Sequence, residues 1–357
     1  MEPIRSVIVA TGSYLPENKI SNSEFSSHVF LEKNGLPFSG SNDRIIDKFH
    51  EITGIQERRY ARPEQKASDL ACLAAQDALQ SGGIDPETLD YIIVAHNFGD
   101  VTFGSNRTDL VPSLASRVKF LLQIKNPSCV AYDLVFGCPG WVQGLIQADY
   151  YIRSGDAWRC LVIGTETLSR VIDDHDRDSM IYADGAGAVI VEASQNSTSG
   201  IITHLTQTFA GEHARLLKMD KSYNPEKKDG DIFIKMNGRS LYEFALHYVP
   251  QVIKQTLDKG KVNLVDISKI LIHQANQKMD HAILKRLFKL YNLDNYPTDI
   301  MPMSIGLLGN SSVATIPTLM DLIQKGKMKD HQLLTGDKIV LASVGAGMSI
   351  NAMLYQF

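Results

Sequence analysis

Apolar residues fall into two kinds of stretch that alternate along the chain. Short runs rich in Val, Ile and Ala show little polar alternation, which is typical of strands buried on both faces beneath covering helices. These runs predict strands in the first half of the chain at 6–12, 89–97, 129–137, 160–167 and 185–193. The pattern predicts an α/β fold.

Longer stretches between these runs carry apolar residues at helical spacing. Residues 67–83 predict a helix that ends in a Gly-Gly pair, a common stop signal. Residues 141–155 predict another helix that also ends at a glycine. The chain therefore alternates strand and helix, as a layered α/β protein does.

The second half repeats the order of these patterns. Residues 262–276 and 309–347 echo the strand–His and turn–helix–strand patterns of the first half. Three echoes in one order favour an internal duplication, although any α/β chain produces some echoes by chance. The polar stretch 192–200 then divides the chain into an N-terminal half, 1–195, and a C-terminal half, 196–357.

Composition narrows the classes of function. The 357 residues are 44% apolar and 21% charged, and the formal net charge of −4 argues against general nucleic-acid binding. No apolar run reaches the roughly 18 residues that a membrane span needs. The four cysteines show no metal-ligand spacing, so we expect no zinc site, no disulfide framework and a reducing cytoplasm.

Cys138 is the candidate nucleophile. It lies between Gly137 and Pro139-Gly140 where a helix begins, and the N–H groups of a helix start favour a thiolate. The alternative is an inert buried cysteine, which is the commoner case. We assign that alternative to the other three cysteines, which lie inside strand or helix patterns: Cys72, Cys129 and Cys160.

His273 and Asn310 are the candidate partners of Cys138. His273 ends an apolar run and Asn310 lies in the turn that the duplication matches to the Cys138 turn. Because ligands gather beyond the carboxyl ends of strands in such sheets, the three side chains are expected to share one pocket. A structural histidine and a helix-capping asparagine are the alternatives.

Several ordered motifs together resemble the β-ketoacyl-acyl-carrier-protein synthase III family of thiolase-fold condensing enzymes. They are TGSYLPEN (11–18), ITGIQERRY (52–60), the Cys138 turn, SRVIDDHDRDSMIYADGAGAVI (169–190), IHQANQKM (272–279), GNSSVATIP (309–317) and GAGMSINAMLYQF (345–357). The resemblance implies duplicated α/β halves in an α-β-α-β-α layering. It also implies a homodimer, which the charge, apolar runs and cysteines lead us to expect in the cytoplasm, bound to neither membrane nor nucleic acid.

The resemblance also implies a mechanism. Cys138 would carry the acyl group as a thioester, and His273 and Asn310 would stabilise the enolate that a malonyl thioester forms on losing CO₂. The backbone N–H groups of Cys138 and Ala346 would form the oxyanion hole. Acyl-CoA and malonyl-acyl-carrier protein would be substrates, with no tightly bound cofactor and no metal.

A carrier protein would dock on the helix that follows His273. Lys278, Lys285 and Arg286 give that helix a basic face, which suits an acidic carrier protein. The alternative is an ordinary solvated helix face.

The primer site departs from the family pattern. Family members that use acyl-CoA clamp its adenine between a Trp and an Arg. Arg177 matches the Arg, whereas the Trp position is Lys48 and a neighbouring family Arg is Ile52. These changes predict weaker or different CoA binding because a stacking partner is missing. Trp141, after the nucleophile, is expected to add bulk beside the acyl channel.

The resulting prediction is a ketosynthase that joins an acyl primer to malonyl-carrier protein and initiates fatty-acid synthesis. One alternative is a specialised ketosynthase of a secondary-metabolite pathway that uses an acyl-carrier protein or an unusual donor. Another is a non-catalytic acyl-binding partner subunit, which would have little need for all three site residues. A thiolase would need a second cysteine in the C-terminal GAG turn, and a hydroxymethylglutaryl synthase a catalytic glutamate in the first half, where none stands out.

Overall fold

The fold is taken from a computed structural model that describes residues 4–195, 197–227 and 230–357. The strands are β1 (Arg5–Tyr14), β2 (Asn18–Ser21), β3 (Glu57–Tyr60), β4 (Tyr91–His96), β5 (Asp100–Val101), β6 (Thr108–Asp109), β7 (Val130–Val135), β8 (Arg159–Thr167), β9 (Asp184–Ser194), β10 (Gly200–Thr208), β11 (Leu217–Lys221), β12 (Ile232–Met236), β13 (Ile267–Ile272), β14 (Lys338–Gly345) and β15 (Ser349–Gln356). The helices are α1 (Asn42–Thr53), α2 (Ala67–Gly82), α3 (Leu114–Leu121), α4 (Gly140–Ser154), α5 (Ala210–His213), α6 (Gly238–Gly260), α7 (Gln277–Lys289), α8 (Ile305–Leu308) and α9 (Thr315–Gln324). Within these ranges, every helix is too short or too polar to cross a bilayer.

Two main sheets share one topology. The first has the strand order β1-β9-β8-β4-β7 and the second the order β10-β15-β14-β13. In both, the first three strands pair antiparallel and the next pair, β8 with β4 or β14 with β13, is parallel. This agreement is what a duplicated α/β unit produces. The boundary between 195 and 196 stays a prediction, and Asn196 lies outside the described residues.

The helices and sheets form five layers. The helices α4 and α9 pack between the two sheets, where Trp141 and Leu319 share a core with residues of both, such as Val162 and Leu341. The helices α2 and α3 cover the outer face of the first sheet. The helices α6 and α7 cover the outer face of the second. The α-β-α-β-α layering brings the starts of the two central helices together.

The strand β7 differs from its prediction as a strand buried on both faces. It lies at the edge of the first sheet, and its terminal residues Val130 and Val135 are exposed. A continuous apolar run does not distinguish a central strand from an edge strand, because both are rich in Val and Ile. An exposed apolar edge is also a surface where another chain can add strands.

Candidate functional site

Cys138 lies in the turn between β7 and α4, two residues before the helix begins. Gly137 has a positive φ of 68°, and a Cβ there would lie 2.9 Å from the backbone nitrogen of Ala346. A Cβ on Gly345 would lie 2.5 Å from the backbone nitrogen of Cys138. Glycine is therefore needed at both positions because the two turns pack backbone to backbone. The predicted oxyanion-hole residues Cys138 and Ala346 thus belong to adjoining turns.

His273 follows the last residue of β13, as the sequence predicts. Its backbone N–H donates to the carbonyl of Ala342 on the neighbouring strand, which fixes the position of the residue. The imidazole is buried, and its Nδ1 has no hydrogen-bond partner among the described residues. Burial lowers the pKa of His273 to about 4, although the nearby backbone of Ser312 acts in the opposite direction. The ring is therefore neutral at pH 7.

Asn310 is buried in the turn before α9, and it is not the cap of that helix, whose N-cap is Ala314. Its backbone N–H donates to the carbonyl of Ile181, and its carbonyl accepts from the N–H of Ala183. Its side-chain Oδ1 accepts from the backbone N–H of Ser312 at 2.8 Å. This bond orients the amide, which leaves its NH₂ group as the donor for a ligand.

Ser312 connects the three predicted site residues. Its Oγ donates to the sulfur of Cys138 at 3.1 Å, its N–H donates to the Oδ1 of Asn310, and its backbone is near enough to His273 to raise the pKa of that ring. Ser312 also has a positive φ of 53°, which is uncommon for any residue but glycine. Backbone strain of this kind persists where the surrounding structure imposes it, often at functional sites. The structure therefore brings Cys138, His273 and Asn310 together around Ser312.

The charge state of Cys138 differs from its prediction. Burial raises the pKa of the Cys138 thiol to about 11, against the smaller lowering effects of the Ser312 hydroxyl and a backbone N–H. A helix start does favour a thiolate, but the loss of water around the sulfur disfavours the anion more strongly. The resting site therefore holds a thiol.

Two polar residues of this site were missed from the sequence. Asn97, just beyond β4, donates from its side-chain NH₂ to the Ser312 hydroxyl at 2.9 Å. Glu166, near the end of β8, is buried and accepts from the backbone N–H of Asn97 at 3.0 Å and from its side-chain NH₂. Glu166 is thus a buried glutamate of the first half that the sequence did not single out. Their position in the sequence could have identified Asn97 and Glu166, since both lie at the carboxyl ends of predicted strands, where ligands bind in such sheets.

Arg177 lies in a one-turn helix, Arg177–Ile181, with its side chain exposed. Its guanidinium carbon lies 4.5 Å from the centroid of the Phe38 ring. The ring comes from the loop before α1, and the weaker or different binding of CoA expected from Lys48 stays a prediction. Lys48 is exposed on α1, and Ile52 is also partly exposed there.

Ion pairs to strand β12 fix the segment just before Arg177. Lys235 of β12 is buried, and its ammonium lies 2.5 Å from a carboxylate oxygen of Asp173 and 3.0 Å from one of Asp176. The ring of Tyr223 lies 3.4 Å from the same ammonium. A buried ammonium is tolerated only with such partners. The β11–β12 hairpin therefore holds the Arg177 segment in place.

The predicted docking residues lie on α7, and all three are exposed. Lys278 pairs with Glu51 of α1 at 3.1 Å, and Arg286 donates to the carbonyl of Leu246 at 3.3 Å. Lys285 faces solvent on the same helix.

Trp141 lies in the core, where its indole N–H donates to the carbonyl of Val162. It packs with residues of the central layer, such as Leu145 and Val313. The three cysteines assigned as inert are buried in the core, and burial raises the pKa of each thiol: Cys72, Cys129 and Cys160.

Family models match two parts of the chain. The model of 3-oxoacyl-[acyl-carrier-protein] synthase III matches residues 132–208, and the model of its C-terminal part matches residues 257–357. These ranges contain Cys138, His273 and Asn310.

Solved structures match nearly the whole chain. The chain is similar to 3-oxoacyl-[acyl-carrier-protein] synthase III from Aquifex aeolicus VF5, with 30% identity, 99% of this chain and 100% of that chain covered, and a TM-score of 0.79. For the synthase III from Pseudomonas aeruginosa PAO1, the values are 25% identity, 99% and 98% coverage, and a TM-score of 0.81. The priming β-ketosynthase of the R1128 polyketide pathway is 24% identical, with 100% and 97% coverage and a TM-score of 0.80. This last likeness concerns the fold alone.

Proposed function

The chain belongs to the 3-oxoacyl-[acyl-carrier-protein] synthase III family of condensing acyltransferases, and from that premise we propose that it joins an acyl primer to malonyl-carrier protein by decarboxylation. The product extends the primer by two carbons, as in the initiation of fatty-acid synthesis. The observation that carries the proposal is the convergence of Cys138, His273 and Asn310 on Ser312.

The first half-reaction loads the primer. The sulfur of Cys138 attacks the thioester carbonyl of the donor, the carbon–sulfur bond to the donor breaks, and the proton of the Cys138 thiol goes to the departing thiol. The carbonyl oxygen gains charge during this step. The backbone N–H groups of Cys138 and Ala346 would stabilise that charge, because their turns adjoin.

The second half-reaction forms the new carbon–carbon bond. The malonyl thioester loses CO₂, and the electron pair passes to an enolate whose carbon attacks the acyl carbonyl on Cys138. The carbon–sulfur bond to Cys138 then breaks, and the sulfur returns as the thiol after protonation. His273 and Asn310 would donate hydrogen bonds to the thioester oxygen as the enolate forms. Both are uncharged at pH 7, so neither repels the malonyl carboxylate as an acidic side chain would.

A specialised ketosynthase remains the second candidate. Lys48 and Ile52 replace residues that CoA-using family members employ, and both lie on the exposed surface of α1. The donor would then be an acyl-carrier protein or an unusual acyl thioester. The Phe38–Arg177 pair does not replace the missing clamp, because the guanidinium carbon lies 4.5 Å from the ring centroid and leaves no room for a base between them. A non-catalytic acyl-binding subunit is the least supported interpretation, because the chain has the nucleophile Cys138 together with the hydrogen-bonding residues His273 and Asn310.

Donor choice separates these candidates. Intact-protein mass spectrometry after mixing the enzyme with a panel of acyl-CoAs and acyl-carrier proteins measures which donors load Cys138. A short acyl adduct from CoA is the expected result and favours initiation of fatty-acid synthesis. Loading from carrier protein alone, or with long or unsaturated chains alone, favours the specialised pathway. No adduct from any donor would overturn the catalytic proposal in favour of the binding subunit.

We propose further that the carrier protein docks on α7. Of the three predicted residues, Lys278 has an ion pair and Arg286 a hydrogen bond, whereas Lys285 has neither among the described residues and is the one most available to an acidic partner. Lys285→Glu is expected to raise the KM for malonyl-carrier protein by about threefold to tenfold. The kcat and the loading of acyl-CoA should stay unchanged. Steady-state kinetics with both substrates measure this split.

The matched control for the docking variant is Lys329→Glu. It reverses the charge of an exposed lysine that follows the C-terminal end of α9, outside α7. An equal rise of KM in both variants would mean that net charge, and not α7, attracts the carrier protein. An unchanged KM in Lys285→Glu would remove this residue from the docking surface.

We also propose that two chains associate through β7 in a cytoplasmic homodimer without a tightly bound cofactor or a metal. The support is the exposed apolar edge of the first sheet, with Val130 and Val135 at its ends. Light scattering would then give twice the chain mass of 39.6 kDa.

A further inference from the structure

Behind Cys138 lies a row of hydrogen bonds to which the proposed reaction assigns no role. It starts at Glu166 on β8, passes through Asn97 beyond β4, and reaches Cys138 through the hydroxyl of Ser312. The parallel register of β4 and β8 pairs Ala95 with Gly164, and two residues further on it places Asn97 beside Glu166. The row is therefore built into the sheet.

The direction of each hydrogen bond follows from the donors available. The Glu166 Oε1 accepts from the backbone N–H of Asn97, so the side-chain group of Asn97 that faces the same oxygen is its NH₂. The NH₂ group can only donate, so the Ser312 oxygen accepts from it. A hydroxyl that accepts from Asn97 is free to direct its single hydrogen at the sulfur of Cys138.

We propose that Glu166 and Asn97 are positioning residues that keep the Ser312 hydroxyl donating to Cys138 and so stabilise the anionic sulfur during attack and release. The inference rests on the proposed role of Cys138 as the nucleophile. Without the Asn97 donor, the Ser312 hydroxyl can rotate, and its hydrogen is no longer held on the sulfur.

The charge of Glu166 acts against its positioning role. An ionised Glu166 raises the pKa of Cys138, whereas the Ser312 hydroxyl lowers it. Burial raises the pKa of Glu166 well above its usual range, and nearby Asp184 acts in the same direction. The ionised fraction of the Glu166 carboxyl group is therefore reduced. The other titratable groups at the site are Tyr182 and His273, whose burial keeps both uncharged near neutral pH. The useful property of Glu166 is thus its acceptor oxygen.

The rate at which iodoacetamide alkylates Cys138 in the full chain tests this inference without any acyl substrate. It is measured between pH 7 and 9 by mass spectrometry of the Cys138 peptide. Below the pKa of the thiol, the rate follows the thiolate fraction. Loss of one hydrogen bond to the sulfur should therefore raise the apparent pKa by about one to two units and slow alkylation about tenfold to a hundredfold.

Four variants of Ser312, Asn97 and Glu166 test whether each hydrogen bond of the row affects the alkylation rate of Cys138. Ser312→Ala and Asn97→Asp should both slow alkylation, the second because an aspartate would accept the Ser312 hydrogen and turn it away from the sulfur. Glu166→Ala should slow it, and Glu166→Gln should restore it because glutamine keeps an acceptor oxygen without the charge. Ser311→Ala, at a neighbouring serine with no hydrogen bond to the sulfur in the described part of the chain, is the matched control and should leave the rate unchanged.

Two results would overturn the inference. One is a rate in Asn97→Asp equal to that of the unmodified chain while Ser312→Ala is slow, and the other is equal slowing in Glu166→Gln and Glu166→Ala. Thermal unfolding of each variant identifies one that has lost the fold, and the remaining variants then decide. Failure of the proposed function has a different signature, namely the expected alkylation pattern in a chain that accepts no acyl group from any donor.

Discussion

Replacing Cys138 with alanine is expected to abolish the acyl adduct and to slow condensation by about a thousandfold or more. Without the sulfur there is no covalent acyl intermediate, and the enolate has no electrophile held beside it. Decarboxylation of malonyl-carrier protein should continue, because His273 and Asn310 keep their backbone hydrogen bonds in this variant. Intact-protein mass spectrometry measures the adduct, and release of labelled CO₂ measures decarboxylation.

Cys72→Ala is the matched control for this prediction. Cys72 is buried in α2, and burial raises the pKa of its thiol to about 11, as it does for Cys138. The two thiols therefore differ in their hydrogen-bonded surroundings more than in their acidity. An adduct that survives in Cys138→Ala, or that disappears in Cys72→Ala, would place the nucleophile elsewhere.

The sequence predicted most of the fold, because strands covered on both faces leave continuous apolar runs. The run at 160–167 became β8 (Arg159–Thr167), and the helix expected at 67–83 became α2 (Ala67–Gly82). The edge position of β7 was not predictable, since covering by a neighbour depends on sheet order and not on local composition. The β11–β12 hairpin was also missed, because its two strands are only five residues long each.

The site was predictable only where local sequence carries the signal. Glycines beside Cys138 and the apolar run before His273 are such signals, and the structure brings both residues to Ser312. The positive φ of Ser312 and the row through Glu166 are not, because they arise from the register of β4 and β8 and the packing of the turns. The sequence also exaggerated the acidity of Cys138, since a helix start is visible in sequence and burial is not.

His273→Ala and Asn310→Ala are each expected to slow decarboxylation of malonyl-carrier protein by about 10² to 10³, while Cys138 still takes an acyl group. Each substitution removes one donor from the oxygen on which the enolate charge develops. The exposed His247 of α6 offers the matched control, and His247→Ala should change neither step. The two steps are measured separately, by CO₂ release and by the mass of the acyl-enzyme.

Asn310→Asp separates a chemical role of Asn310 from a structural one. Aspartate keeps the oxygen that accepts from the Ser312 N–H, so the turn should hold, but it replaces the NH₂ donor with a charge that repels malonyl. Decarboxylation should therefore fall as far as in Asn310→Ala, and recovery in Asn310→Asp would leave Asn310 with a structural role alone.

The pH profile of decarboxylation tests the charge state of His273. Since burial lowers its pKa to about 4, the ring stays neutral above that value. Decarboxylation should then persist from pH 8 to about 5 and decline as the pH falls through 4, whereas a decline centred near 6.5, the usual pKa of histidine, would show a solvated ring.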